Sequence, residues 1–400
     1  MRPRGIRPPD PAPSMHKIIL DLNDRRPAWA MPPWVPEEIR SALPPGWVLH
    51  VMETEADGSG DGMVNLDPAL VEAARGAEIY LGYGVPAALL REGRGLRWVH
   101  SGAAGVRGSL TPEMLASPVL FTNSKGVHGP PMADTALGMI LYFSRGLDFG
   151  VAAKARSHWD KDPFYSGDTP LVELAFSTVG IFGFGGIGRE VAKRVTALGA
   201  RVLAFDRGPE AFEGPGARFQ EGALHAGEGT RSGVPASGPA GGRGGPGEAG
   251  AFHGPGDLAA VEPLHGPEGF RRLLEESDFL VLTAPETPES RGVFDAEALS
   301  RVRPRATLIN ISRGPLVDEE ALVAALKEGR LRGAGLDVFA REPLPEDHPL
   351  WALPNVLITP HVSAVTRHFW RRQTDLILEN FRRYLAGERL LNLVDKQAGF

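Results

Sequence analysis

Short, almost uninterrupted apolar runs alternate with helix-length amphipathic segments along most of this chain, and that alternation leaves few folds open. HKIILDL, GWVLHVME, AEIYLGYG, LRWVHSG and VLFTNS form one series; STVGIF, ARVLAFD, DFLVLTAP, ATLINIS, AGLDVF and VLITPH form a second. Near-continuous apolar runs belong to strands buried on both faces, and helical stretches between them, such as GREVAKRVTALG and DEEALVAALKEG, suit parallel pairing. The 400 residues exceed what one core usually spans. Two α/β domains are therefore expected, each a doubly wound parallel sheet. Residues 15–124 plus 365–400 should form one and 125–364 the other, with a last helix near Arg367 to Leu385 returning to the first.

Two segments break the alternation. Residues 1–14, MRPRGIRPPDPAPS, carry five prolines and arginines with no apolar core behind them. They predict a disordered arm and not a signal segment, with Met15 an alternative start. Residues 208–256 hold 16 glycines and 6 prolines in 49 positions. Without a hydrophobic period they cannot bury enough surface to offset ordering entropy, which predicts a disordered insertion. The absence of cysteine removes disulfides, thiolate metal sites and thiol nucleophiles, and suits a reducing cytoplasm. A net charge of −6 offers no general attraction to nucleic acid or an anionic membrane. No apolar run is long enough to span a bilayer.

The most specific local signal is TVGIFGFGGIGREVAKRV, which places Gly183, Gly185 and Gly188 in the G-x-G-x-x-G spacing. The loop follows an apolar strand and opens a helix whose predicted apolar face is Ile187, Val191, Val195 and Leu198. Glycines there permit a tight turn and close backbone approach to a pyrophosphate. The N–H groups around Gly186 and Ile187 would bind it at the helix N-terminus. Asp206 ends the next strand 18 residues beyond Gly188, where a carboxylate accepts from an adenosine ribose. The combination predicts a dinucleotide site. Asp206 favours NAD by repelling a ribose phosphate, while the adjacent Arg207 keeps NADP open.

Three later strands end on chemistry-bearing residues: LINISRGP on Arg313, AGLDVFAREP on Asp337 with Glu342 beyond it, and LITPHVSA on His361. Read alone, His361 is an ordinary strand-end histidine. Ligands of open parallel sheets bind at the carboxyl ends of the strands, however, so these groups and Asp206 are expected along one edge.

These segments, with RWVHSGAAGV, TNSKGVHG, TPESRG and the closing LLNLVDKQAGF, resemble the D-isomer-specific 2-hydroxyacid dehydrogenase family from about Lys17 to Phe400. The resemblance implies a Rossmann dinucleotide-binding domain inserted in a flavodoxin-like substrate domain. It also implies reduction of a 2-oxo acid to a D-2-hydroxy acid with NAD(P)H. By resemblance, Arg313 clamps the substrate carboxylate and carbonyl oxygen, His361 is the acid/base and Glu342 is its partner. Ala104 and Gly105 offer backbone N–H groups to the carboxylate, and Asp337 holds the nicotinamide amide. Ala284, Pro285, Ile311, Ser312, Ser363 and Ala364 line the cofactor site.

The residue types suit that chemistry. A guanidinium fork grips a planar carboxylate as lysine cannot. An imidazole can give and take a proton near neutral pH, and a neighbouring carboxylate fixes its tautomer and favours its charged form. The sequence departs from the family at Arg107, where an acid is common, at Asp134 in place of glutamate, and at Phe176 in place of glycine; Arg107 puts substrate identity in question. Glyoxylate or hydroxypyruvate is the expected substrate. Phosphoglycerate oxidation stays open, although the chain ends without a further regulatory domain. Formate oxidation is disfavoured, because that branch pairs its histidine with glutamine. A nicotinamide-sensing, co-repressor-like binding protein of the same fold is the alternative to an enzyme. The apolar helix beginning near Met132 suggests, by resemblance, a homodimer.

Overall fold

The computed structural model describes residues 15–53, 68–165, 171–207 and 258–397. The arm (1–14) and the whole of the insertion (208–256) lie outside the described residues. The chain divides into two compact units, one made of residues 1–127 with 366–400 and the other of residues 128–365.

Unit 1 carries a five-stranded sheet of β1 (His16–Asp21), β2 (Trp47–Val51), β3 (Ile79–Gly82), β4 (Trp98–Ser101) and β5 (Leu120–Asn123). Their order is β2-β1-β3-β4-β5, and every pairing is parallel. This is the flavodoxin-like order, with its reversal between β1 and β3. Successive side chains of a strand face opposite ways. Ile19, Tyr80, Val99 and Phe121 accordingly build one core, and Ile18, Leu20, Ile79, Leu81 and Trp98 build the other. The connecting helices are α1 (Trp34–Ser41), α2 (Pro68–Ala74), α3 (Ala87–Glu92) and α4 (Pro112–Ala116), and α12 (Phe369–Ala386) returns to close the second face.

Unit 2 begins with α5 (Gly129–Ser144), three residues before Met132. Pro130 and Pro131 stand in its first turn, where a missing N–H costs nothing. After α6 (Leu147–Ala155) and α7 (Asp162–Tyr165) come β6 (Thr178–Phe182), α8 (Gly186–Ala197), β7 (Arg201–Phe205), β8 (Val261–Leu264), α9 (Gly266–Glu276) and β9 (Phe279–Leu282). The remainder is α10 (Ala296–Arg301), β10 (Thr307–Asn310), α11 (Glu319–Lys327), β11 (Gly333–Leu336) and β12 (Val356–Ile358). The sheet order is β12-β11-β10-β9-β6-β7-β8, and all its pairings are parallel. The direction of travel reverses between β6 and β9, the crevice where such sheets bind ligands. Helices α5 and α8 cover one face, and α9, α10 and α11 the other.

Two details differ from expectation. Strand β8 carries Pro263, which hides it from a pattern search; it lies at the sheet edge, where a missing donor is tolerated. Leu198 lies just past the end of α8 and is exposed, whereas Val191 and Val195 are fully buried and Ile187 packs against the core. Among the described residues no single helix is long and apolar enough to cross a membrane.

Unit 1 also encloses a polar network. His100, on β4, is fully buried; its Nδ1 lies 2.9 Å from the Thr122 hydroxyl, which accepts from Trp98 Nε1. Ser124 Oγ and the Gln373 amide of α12 lie 3.2 and 2.9 Å from His100 Nε2. Burial pushes the imidazole down to about 3, so it stays neutral in the folded protein. An unfolded chain would take up that proton near pH 6.5. Stability from this group is thus complete above pH 6.5 and declines as pH falls toward 3. Urea unfolding across this range should show wild type losing up to about 1.4 kcal/mol per pH unit more than His100→Gln. Parallel curves for the two proteins would refute the assignment.

Candidate active site at the carboxyl edge of the unit 2 sheet

The loop after β6 divides its three glycines between distinct tasks. Gly183 has φ +99°, and a Cβ there would lie 2.6 Å from the Ala284 backbone. A Cβ on Gly188 would lie 2.3 Å from the Gly183 carbonyl oxygen, so this glycine lets α8 pack onto the loop. A Cβ on Gly185 meets nothing within 4 Å. Its open face lies at the N-terminus of α8, where Gly185 provides no side-chain cap. The first-turn N–H groups of Gly186, Ile187 and Gly188 lack intrahelical acceptors by position and suit an anion.

Asp206 braces this loop from the end of β7. One carboxylate oxygen accepts from the Phe184 backbone N–H at 2.7 Å and the other from the Arg207 N–H at 2.7 Å. Arg207 is exposed, 3.6 Å from Glu289. A cation that pattern reading missed lies closer in. Arg189 is half-buried with its guanidinium 4.8 Å from the centre of the Phe184 ring. Burial lowers its pKa, and the charge of Asp206 opposes that shift.

Arg313, Glu342 and His361 follow β10, β11 and β12, three neighbouring strands. The backbone at Arg313 is pinned by Asn310, whose amide donates to the Arg313 carbonyl at 3.0 Å and whose oxygen accepts from Ser312 N at 3.1 Å. Arg313 itself is half-buried, and its Nη1 donates to the Ser312 carbonyl at 2.8 Å. Nothing in the periodicity of INISRG marks Asn310. Only its burial and its reach to the residues after it reveal the role.

His361 and Glu342 meet directly: Nδ1 lies 2.7 Å from Oε2, with the side chains 49% and 36% exposed. The other oxygen of Glu342 accepts from the Phe339 N–H at 3.0 Å. That anchor leaves Oε2 for the histidine, so Nδ1 is the ring nitrogen committed to Glu342. His361 sits at φ +53°, a left-handed conformation that costs a non-glycine residue about 1–3 kcal/mol. Such strain persists where the surroundings over-determine it, and here they do.

Asp337 supplies much of that constraint. The sequence reading assigned it to the nicotinamide amide; in the fold its carboxylate is fully buried and accepts from the turn that follows β12. One oxygen accepts from the Thr359 hydroxyl at 2.5 Å and from Val362 N at 2.9 Å, and the other from Ser363 N at 2.9 Å. The Asp337 carbonyl also accepts from His361 N at 2.8 Å. These bonds pin the turn that carries the histidine. A sequence shows that an acid stands at a strand end, but not whether the carboxylate points into a cleft or into its own backbone.

The other expected cofactor residues fall at the same edge. Ala284 and Pro285 follow β9, Ile311 and Ser312 follow β10, and Ser363 and Ala364 follow His361; of these Ala284, Ile311, Ser312 and Ser363 are buried. Ala104 and Gly105 belong to unit 1, in the loop after β4. Ala104 is exposed, and its carbonyl accepts from Asn123 Nδ2 at 2.8 Å, which braces the loop from behind. Of the three departures, Arg107 is exposed, Asp134 pairs with Arg194 at 2.7 Å and Phe176 is 86% exposed.

Comparison with known proteins places the chain in a family. The family model for the NAD binding domain of D-isomer specific 2-hydroxyacid dehydrogenase matches residues 137–223 and 259–363. A glyoxylate/hydroxypyruvate reductase A from Citrobacter koseri is 30% identical over 321 residues, covering 79% of this chain and 85% of the relative. The chain belongs to the D-isomer specific 2-hydroxyacid dehydrogenase family. A glycerate dehydrogenase from Methylorubrum extorquens is 28% identical, covering 80% of this chain and 86% of that one. Among solved structures, a family member from Xanthobacter autotrophicus Py2, in complex with NADPH and MES, is 27% identical with a TM-score of 0.67. That match covers 97% of this chain and 100% of the other. The dehydrogenase is therefore an oxidoreductase that uses NAD(P), and the enzyme reading prevails over a binding-only protein.

The glycine loop fits that cofactor, because the space beside Gly185 is what a pyrophosphate held by Gly186, Ile187 and Gly188 would fill. Gly185→Val should leave the melting temperature near that of wild type while weakening NADH binding at least about ten-fold. Gly183→Val should lower the melting temperature itself. Equal effects of the two substitutions in thermal unfolding and NADH titration would contradict this division of tasks.

Proposed function

We propose that the dehydrogenase reduces a small 2-oxo acid to its D-2-hydroxy acid, with His361 as proton donor, Glu342 as its partner and Arg313 as the carboxylate clamp. The observation that carries this reading is the 2.7 Å contact between His361 and an anchored Glu342 at one end of three adjacent strands. Bound NAD(P)H supplies the hydride to the 2-carbon. As that carbon is reduced, its oxygen gains charge and needs a proton, which His361 gives from Nε2. Glu342 keeps Nδ1–H directed at itself, so the ring cannot rotate to present the wrong nitrogen. Arg313 recognises the carboxylate through its planar fork. By resemblance, Ala104 and Gly105 add backbone N–H groups to that carboxylate. In the reverse reaction neutral His361 takes the proton back.

Glyoxylate and hydroxypyruvate are the proposed substrates, supported by the reductase names of several relatives, including a glyoxylate reductase from Thermococcus litoralis. NADH is proposed as the better reductant, because the Asp206 carboxylate is held where a ribose phosphate would be repelled. Asp206→Ser should move the kcat/KM preference toward NADPH. A wild-type enzyme that already favours NADPH would show that Arg189 or Arg207 outweighs the acid.

A homodimer is proposed as the assembly. The apolar face of α5 is not what supports it, since Met132, Ala136, Met139, Ile140 and Phe143 are buried within unit 2. Support comes instead from the segment that follows, where Val151, Trp159 and Tyr165 are 58%, 85% and 79% exposed. Exposed apolar groups in this concentration mark contact surfaces.

Replacing the proton donor tests the core of the proposal. His361→Asn should cut ketone reduction by about 10²–10⁴-fold or more with NADH affinity nearly unchanged. Glu342→Gln, which keeps an oxygen for Nδ1–H, should be milder. Arg313→Lys should raise KM for the oxo acid as well as lower kcat. Turnover by His361→Asn close to the wild-type rate with glyoxylate or hydroxypyruvate would overturn the assignment.

A further inference from the structure

The turn that carries Glu342 is itself held from outside the site. Its Phe339 N–H is bound by Glu342, and the next amide, Ala340 N–H, donates to Glu319 Oε1 at 2.6 Å. Two carboxylates thus hold consecutive amides of one turn. On its other side the turn lies directly on Gly314: a Cβ there would fall 1.9 Å from the Phe339 carbonyl carbon and 2.4 Å from the Ala340 nitrogen. Phe339 and Ala340 are therefore set between the residue after Arg313 and the first turn of α11.

Glu319 is not needed where it is for the sake of the helix. Asp318 already caps α11, accepting from Glu320 N at 3.0 Å and Ala321 N at 3.1 Å. Glu320, its neighbour in the same first turn, is exposed to solvent, as suits an acid that merely complements the helix dipole. Glu319 is turned inward instead, with its side chain 18% exposed. Its second oxygen stands 3.4 Å from His348 Nε2, and His348 Nδ1 accepts from the Leu350 N–H at 3.4 Å. That second contact fixes the tautomer: with Nδ1 accepting, Nε2 carries the hydrogen and faces Glu319.

We infer that Glu319, backed by His348, is a positioning residue for the His361–Glu342 pair, acting through the Phe339–Ala340 turn. It touches no reacting atom. By holding Ala340 N–H it fixes the peptide whose neighbour presents Phe339 N–H to Glu342, and so keeps Glu342 Oε2 at hydrogen-bond distance from His361. This inference rests on the proposed roles of His361 and Glu342.

The test is a mutant cycle on the full chain, assayed with glyoxylate and NADH, with NADH affinity and melting temperature measured alongside. Glu319→Ala should lower kcat on the order of ten-fold, because misplacing a reacting group by a fraction of an ångström is costly. NADH affinity should stay within about two-fold of wild type, since the cofactor loop is untouched. Glu319→Gln should restore much of the loss, its amide oxygen still accepting from Ala340 N–H. In a Glu342→Ala background, Glu319→Ala should cost little more, because the group it positions is gone. Losses that multiply in the double variant would assign Glu319 a general structural role and overturn the inference. So would unchanged kcat in Glu319→Ala where Glu342→Ala is impaired. If Glu342→Ala itself keeps full turnover, the pairing of Glu342 with His361 in catalysis is what fails. Should Glu319→Ala not fold, Glu319→Asp retracts the carboxylate by one methylene while keeping its charge, and the same cycle applies.

Discussion

The buried carboxylate of Asp337 is the constraint on which the rest of the site depends. It binds one hydroxyl and two backbone N–H groups of the turn after β12. A carboxylate can leave water only when hydrogen bonds replace its hydration. The turn meets that need, and in exchange it is locked. A lock of this kind can hold a histidine in left-handed backbone, which an unconstrained loop would relax. Asp337 also ends the strand from which Glu342 follows, so one strand end fixes both members of the pair.

Much of the architecture is legible in the sequence because its signals are local and redundant. The runs in both series became strands, and the glycine loop lies between β6 and α8 as its spacing requires. The carboxyl-edge gathering of Asp206, Arg313, Glu342 and His361 follows from topology alone, since parallel strands deliver their ends to one side. What was not legible depends on where side chains point. Strand β8 is masked by Pro263, which is harmless only at an edge. Asp337 and Asp206 look alike in sequence, two acids after apolar strands, yet one is sealed into a turn and the other is half-exposed at the glycine loop. Asn310 ends an apolar run and Glu319 sits in an acidic one, and neither period nor charge marks what their side chains hold.

The acids at the carboxyl edge share a pattern that explains their order. Each binds backbone N–H groups of a loop it did not come from or has just left: Asp206 the glycine loop, Asp337 the histidine turn, Glu342 and Glu319 the turn between them. Loops at the end of a parallel sheet expose amides that no strand partner satisfies. Carboxylates satisfy them with charge-assisted bonds, which are stronger than neutral ones. The geometry at the edge is therefore held from within unit 2, by groups that need no ligand in place.

Connectivity has a consequence for the order in which the molecule can be completed on the ribosome. Unit 2 is one uninterrupted stretch, residues 128–365, and contains every strand of its sheet. Unit 1 is split, and its second face lacks Phe369, Trp370, Ile377 and Phe381 until α12 is made. His100 likewise waits for Gln373. The domain begun first is thus the last to be finished. Until the final helix emerges, the apolar face of the older sheet must stay open to water or to a chaperone.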